Sequence, residues 1–126
     1  DKKISGRVVY TDRLAPLSEE FGNNILELLK KNSDLDGIFA TSDVMAANII
    51  RACKKMGKRV PEDISIVGFD DTWISTLTYP SITTIHQPVQ EMCEYAIEAI
   101  VKKVKSEKVP SQVVFPVELI DRESTK

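Results

Sequence analysis

An excess of one charge is the first thing missing. Across 126 residues Lys plus Arg number 17 and Asp plus Glu 19, a formal net charge of -2, so no basic surplus marks a nucleic-acid footprint. Long apolar runs are missing too: the longest are a few residues, far from the ~18 consecutive apolar residues of a spanning helix. Cysteine is scarce. Cys53 and Cys93 are the only two, with no Cys-x-x-Cys and no metal-ligand cluster, so neither a disulfide framework nor a metal site is indicated. Both cysteines sit in stretches with helical apolar spacing. Core packing is their expected use, spacing leaves a single bridge open, and a reduced, cytoplasmic setting is favoured. His86 is the only histidine, and no nucleophile-elbow serine or nearby cysteine accompanies it, so a structural or rim role is expected of it. Gly-x-Gly-x-x-Gly and Walker sequences are absent, which removes the usual phosphate cradles. No basic segment followed by an apolar one opens the sequence, and Asp1 is not an initiator Met, so the start reads as cut or processed.

What is present fits one modest globular domain, with 42% hydrophobic and 29% charged residues. Residues 7–10 read as a short strand and 11–17 as a loop. A helix should follow, capped by Ser18, with Glu19 and Glu20 suiting its positive end and Phe21, Ile25, Leu28 and Leu29 forming a buried stripe up to Asn32 and Ser33. Residues 37–40 are a brief apolar run of the kind seen in parallel strands buried on both faces. The next helix is capped by Thr41 or Ser42, carries Asp43 in its first turn and Met45, Ile49, Ala52, Cys53 and Met56 on its apolar face, and ends at Gly57. Lys54, Lys55 and Lys58 near that end complement the helix dipole as solvated charge. Residues 64–69 form a further buried strand.

The chain is then extended from 79 to 85, and Pro88 suits the first turn of a long helix with Val89, Met92, Cys93, Ala96, Ile100 and Val104 on one face. A final strand over 113–120 and a polar tail, 121–126, close the chain. This alternation predicts an α/β class domain, a layered parallel sheet flanked by helices, with its ligand crevice beyond the carboxyl ends of the strands.

Candidate chemistry concentrates at those ends. Asp70 and Asp71 follow a buried strand; as neighbours in extended backbone they should point to opposite sides, which works against a facing acid and base pair. A turn or cap role competes with a role as acceptor for ligand hydroxyls. Asp43 is explained as well by helix capping as by ligand contact. Trp73 could pack a sugar ring, anchor its loop or mark a protein interface. No nucleophile, base and orienter can be assembled, so an enzyme is not expected, nor is a cofactor or metal.

Four strings decide the family reading: Phe-Ala-Thr-Ser-Asp-Val-Met-Ala at 39–46, Val-Pro-Glu-Asp-Ile-Ser-Ile-Val-Gly-Phe-Asp-Asp at 60–71, Pro-Ser-Ile-Thr-Thr-Ile-His-Gln-Pro at 80–88 and Leu-Ile-Asp-Arg-Glu-Ser-Thr at 119–125. In content, order and spacing they resemble the LacI/GalR family of bacterial transcription repressors. The resemblance implies the C-terminal part of a type I periplasmic-binding-protein-like (Rossmann-like) effector domain. It implies a C-terminal subdomain over 1–87, a helix over 88–112 that belongs with the N-terminal subdomain, and a returning strand and tail over 113–126. It also implies a small-molecule effector, a sugar or related metabolite, with homodimerisation or other self-association. DNA would be bound only through an N-terminal helix-turn-helix outside this chain, and no membrane is involved. Carried over by residue, Asp70 faces ligand hydroxyls, Gln87 lines the same cleft near the hinge, and Ser42 stands where some relatives present Asn. An often aromatic position near Leu14 to Leu17 has no aromatic here, and a family arginine would precede residue 1. With that helix's partners outside the chain, its apolar stripe should face water. A periplasmic transport receptor of the same fold is the alternative, with sugar chemistry in common.

Overall fold

The computed structural model describes Gly6 and residues 19–126. The strand expected at 7–10, the loop at 11–17, the Ser18 cap and the ligand-facing stretch from Leu14 to Leu17 lie outside the described residues, as do the side chains of Glu19, Glu20 and Phe21. Helix α1 spans Glu19–Lys31, strand β1 Gly37–Phe39, α2 Asp43–Lys55, β2 Ser65–Phe69, α3 Ile74–Leu77, β3 Thr83–His86, α4 Val89–Val104 and β4 Glu118–Ile120. The strands form one sheet in the order β1-β2-β3-β4; β1, β2 and β3 run parallel and β4 returns antiparallel to β3.

Helical periodicity explains where the core lies. Ile25 and Leu29 of α1, and Ile49, Ile50, Ala52 and Cys53 of α2, recur at three- and four-residue spacing and meet Ile64, Ile66 and Ile82 of the sheet layer, all buried. Each large side chain so placed contributes about 1.5–3 kcal/mol. Helix α2 ends as expected at Gly57: the Gly57 N–H bonds the Lys54 carbonyl and the Lys58 N–H the Cys53 carbonyl. Gly57 closes this double bond at φ 71°, a conformation that needs glycine. Beyond it the Lys58 ammonium donates to the Ser33 carbonyl at 3.1 Å, joining the ends of α1 and α2.

Several expectations give way. β1 is not buried on both faces: it pairs only with β2 among the described residues, and Phe39 is 59% exposed, touching Phe69 edge-on with ring centroids 6.2 Å apart. β2 alternates, burying Ile66 and Gly68 against the helices while Ser65, Val67 and Phe69 are half-buried. Both cysteines are free, and only Cys53 packs in the core; Cys93 is exposed on α4, because that helix buries none of its residues. Its whole expected stripe faces outward, and its large apolar side chains range from 38% exposed at Met92 to 81% at Val104. The strand expected over 113–120 shrinks to Glu118–Ile120, since Pro116 has no N–H to give a ladder. The single turn α3 was not expected at all.

The polar tail is the largest departure. Ser124 is buried and sits between two strands: its hydroxyl donates to the Ile66 carbonyl and accepts from the Thr83 N–H at 2.9 Å, while its backbone carbonyl takes the Ile66 N–H at 2.8 Å and its N–H reaches the Ser81 carbonyl at 2.9 Å. Glu123 receives both the N–H and the hydroxyl of Ser81 at 2.9 and 3.0 Å, which hold its carboxylate below the usual range. The tail thus fills the gap before β3 where backbone groups of β2 would otherwise go unpaired. Ser124→Ala is expected to lower unfolding stability by about 1–3 kcal/mol, the cost of stranding a buried donor and acceptor. A urea titration monitored by circular dichroism reads this as a fall in midpoint at constant slope.

Candidate functional site

Because β1, β2 and β3 are parallel, the segments that follow them emerge on one side of the sheet: residues 40–43, 70–73 and Gln87. That is where an α/β sheet places its ligand crevice. Asp43 opens α2, and its side chain is fully buried. One carboxylate oxygen accepts from the Thr72 N–H at 2.6 Å and the Thr72 hydroxyl at 3.0 Å; the other accepts from the Thr84 hydroxyl of β3. The first-turn charge read from the sequence is therefore a buried bracket between helix, strand and turn. It dictates the residue beneath it: a Cβ on Gly68 would stand 2.5 Å from Asp43 Oδ1 and 3.1 Å from Ile82 Cγ2. The carboxylate cannot retreat without breaking its hydrogen bonds.

Beyond Gly68 and Phe69 the chain turns sharply. Asp70 and Asp71 are not extended; both have positive φ, 98° and 51°, a conformation that costs a non-glycine residue about 1–3 kcal/mol. The Asp70 N–H still donates to the Ile85 carbonyl at 3.0 Å, so the turn begins from an intact ladder. The two carboxylates then part. Asp70 Oδ1 accepts from Gln87 Nε2 at 2.8 Å. Asp71 faces Arg122 at 2.6 Å, His86 Nδ1 at 3.0 Å and the Ser75 hydroxyl at 3.3 Å. Burial pushes the Asp71 carboxyl up, but hydrogen bonds from Arg122 and then His86, with the Arg122 charge, outweigh it and hold the group below its ordinary value. Arg122 spends its second nitrogen on the Ser75 hydroxyl and the Ile82 carbonyl, each at 2.9 Å.

The geometry sorts the residues singled out in the sequence. Asp70 and Gln87 are in direct contact. Ser42 is the N-cap of α2, its hydroxyl accepting from the Met45 N–H at 3.2 Å. Trp73 is 71% exposed beside the Asp turn, so its ring does not anchor the loop by burial. His86 is half exposed at the rim. The Ser75 hydroxyl meets Asp71 and not the imidazole, so the three residues lack a nucleophile-to-base contact. Sequence reading missed the Asp71, Arg122 and His86 cluster and the burial of Asp43. Its one available signal was an arginine in a tail read only as polar. Among the described residues no group of three or more His, Cys, Asp or Glu is placed to hold a metal, and no helix is long and apolar enough to cross a membrane.

A mostly parallel sheet whose strand ends gather a strained acidic turn and an amide donor defines an α/β module with its polar groups clustered beyond the strand ends. The chain belongs to the periplasmic binding protein-like domain family, whose model matches residues 7–125. Within it, the resemblance to LacI-type regulators holds. The HTH-type transcriptional regulator MalR of Clostridium butyricum is 42% identical over 80% of this chain and 30% of its own length. The ribose operon repressor of Halalkalibacterium halodurans is 37% identical over 79% of this chain and 30% of its own. Among solved structures, the complex of the transcriptional regulator CelR with cellobiose superposes with a TM-score of 0.77 at 33% identity, covering 82% of this chain and 32% of that one. The lac repressor dimer bound to operator and the anti-inducer ONPF gives 0.78 at 28% identity, covering 86% and 38%. The chain thus spans about a third of the length of the relatives it matches. These relatives are transcription regulators.

Because the folded-state Asp71 carboxyl is depressed, its pairing stabilises the fold above the unfolded carboxylate value of ~3.9 and is lost as pH falls through the lower folded value. Asp71→Asn is expected to cost about 1.5–3 kcal/mol at pH 7, the scale of a hydrogen bond to a charged group. The gap between parent and variant should close below about pH 4. Thermal melts of both across pH 2–8 check this; a gap independent of pH would mean that Asp71 acts through shape and not charge.

Proposed function

We propose that this chain is the C-terminal part of the effector-sensing domain of a LacI-type transcription regulator. It binds a sugar or related metabolite, and ligand-dependent movement between two subdomains alters DNA binding by an N-terminal helix-turn-helix outside the chain. The observation that carries this reading is the Asp70 to Gln87 contact at the carboxyl ends of β2 and β3. A carboxylate and an amide so held offer the acceptor and donor that adjacent sugar hydroxyls need. Ser42 and Trp73 complete the proposed site, the first through its hydroxyl proton and the second through an exposed ring face on which a sugar can stack. Residues 1–87 are the C-terminal subdomain, 88–112 the segment whose helix, α4, packs on the N-terminal subdomain, and 113–126 the returning strand and tail. The regulator is cytoplasmic, is not an enzyme, and uses no cofactor. The transport-receptor alternative finds no support among relatives that are HTH-type regulators and operon repressors.

Calorimetry of the intact regulator against ribose, cellobiose and lactose tests the site. Asp70→Ala should weaken binding by about 1.5–3 kcal/mol with the fold intact, and Gln87→Ala by less, since its amide is neutral. Equal affinity in parent and Asp70→Ala would remove Asp70 from the site.

The exposed stripe of α4 generates a second expectation. Val89, Ile97, Ile100 and Val104 are each more than half exposed, and a contiguous apolar face of that size seeks a partner. The 126-residue chain should therefore self-associate through α4, and with half of the proposed cleft outside it should bind sugar weakly or not at all. Light scattering over a concentration series checks the first point; a monomer throughout would refute it.

A further inference from the structure

The Arg122 guanidinium forks across three segments. One nitrogen meets Asp71 Oδ1 at 2.6 Å, and the other donates to the Ser75 hydroxyl of α3 and to the Ile82 carbonyl just before β3, each at 2.9 Å. Its root is fixed as well, because the Arg122 N–H donates to the hydroxyl of buried Thr83 at 2.9 Å. The Arg122 and Asp71 side chains are 18% and 17% exposed, so salt screens this ion pair less than one on the open surface. What the pair holds is the centre of the Asp70 turn. The ends of that turn are tied by hydrogen bonds, the Asp70 N–H to the Ile85 carbonyl and the Thr72 N–H to Asp43. Between those ties lie the backbone dihedrals of Asp70 and Asp71, both at positive φ. Side chains restrain that span: Asp70 through the neutral Gln87 amide, and Asp71 through Arg122, with His86 and Ser75 as further partners.

We propose that Arg122 is the positioning residue of the Asp70 wall: acting through Asp71, it keeps the turn in its positive-φ form, so that the Asp70 carboxylate meets a sugar hydroxyl without first reorganising. This rests on the effector-site reading and adds to it a residue that does not touch the ligand. A ligand whose hydroxyl displaces the Gln87 amide removes the restraint on Asp70 itself. The clamp on Asp71 is then what remains, and it must outlast the exchange, because such a conformation persists only where surrounding contacts over-determine it. Without the clamp, the two aspartates can shed their strain by rotating between the tied ends. Rotation about the Asp70 N–Cα bond swings its Cβ and carries the carboxylate off line. Binding then bears the cost of restoring the turn, which a preorganised site avoids. Arginine suits this role where lysine does not. Its planar fork reaches Asp71 on one side and Ser75 with Ile82 on the other, whereas an ammonium is a compact charge that can serve Asp71 without bridging the three segments.

Arg122→Lys is the discriminating variant, since it retains the charge and loses the fork. In the intact regulator, its affinity for whichever of ribose, cellobiose or lactose binds should fall about five- to tenfold, an ordinary coupling for residues in one contact network. On an Asp70→Ala background the same substitution should cost less than about twofold, because no carboxylate is left to aim. Ile25→Val, in the core of α1 and away from the strand ends, should lower the melting temperature and leave affinity unchanged, which separates aim from stability. In the 126-residue chain, the side-chain amide protons of Gln87 report the wall directly by nuclear magnetic resonance. Arg122→Lys should move them toward the shifts of a free amide while the core signals keep their dispersion. Asp71→Asn, which weakens the clamp from its other half, should move them the same way, and it decides the matter if Arg122→Lys does not fold. Equal losses of affinity with and without Asp70, or Gln87 amide signals unmoved in both variants, overturn the proposal. If none of the three sugars binds, or Asp70→Ala binds as the parent does, the effector-site reading fails, and the Gln87 signals alone decide whether Arg122 sets the wall.

Discussion

A carboxylate with no access to water, that of Asp43, is the contact on which the rest of this site depends. Removing an isolated carboxylate from solvent is very costly, and it is tolerated only where hydrogen bonds satisfy the charge. Here the Thr72 N–H and hydroxyl, the Thr84 hydroxyl and the positive start of α2 surround it. The donors come from two different places, the turn after β2 and the middle of β3, so satisfying one side chain fixes helix, turn and strand to one another. The same demand makes position 68 glycine, because the space for a Cβ is occupied by the carboxylate. A polar group that must be fully satisfied admits one arrangement of its neighbours, where an apolar contact would tolerate several.

That bracket stops at Thr72, and the two residues before it carry the strain. A pair of positive-φ aspartates is unfavourable in itself, and locally only the long Ser75 to Asp71 hydrogen bond offsets it. The compensation comes from 51 positions away, where Arg122 closes on Asp71 and on the Ser75 hydroxyl. The segment that carries Arg122 is in turn pinned by Ser124 between β2 and β3. The C-terminal residues are thus a second fastening of the same strand ends, independent of Asp43. Between the two, Asp70 is held on a strained backbone fastened from both sides, an arrangement that would lower the ordering cost for a ligand of the proposed site.

How much of this could be read in advance follows from the range of each interaction. Helices α1, α2 and α4 repeat their apolar residues every three or four positions, and the Gly57 stop is a local rule, so the helices were legible; the end of α4 was not, for the helix expected over 88–112 stops at Val104, where Ser106 turns to positive φ. The run at 64–69 was legible as a strand, but its one-sided burial was not, since a short apolar run does not say how many layers cover it. Helix α3 is a single turn with no period to detect. The tail looked solvated because its residues are polar; Ser124 is buried by partners some forty and sixty positions away, and no spacing rule connects them. At the site, Asp70 was noticed because it follows a buried strand. Its pairing with Gln87 came only from the family wording, as a role for each residue separately. Asp71 with Arg122 was invisible for the same reason as Ser124.

Gln87 is where the packed and unpacked parts of the chain meet. Its side chain is tied to Asp70 on the packed sheet, while its backbone carbonyl accepts the Val89 N–H at 2.8 Å at the first turn of α4, a helix that buries nothing among the described residues. Pro88 between them has a restricted φ and no N–H, so the link is stiff on the helix side. A ligand that replaced the Asp70 to Gln87 bond with its own hydroxyls would pull on one residue whose two ends serve different bodies. Stiffness matters here: a displacement of the amide passes into the helix start because no flexible residue intervenes to absorb it. The same sheet end therefore supplies both the groups that could read a ligand and a short, stiff covalent connection through which the reading could leave.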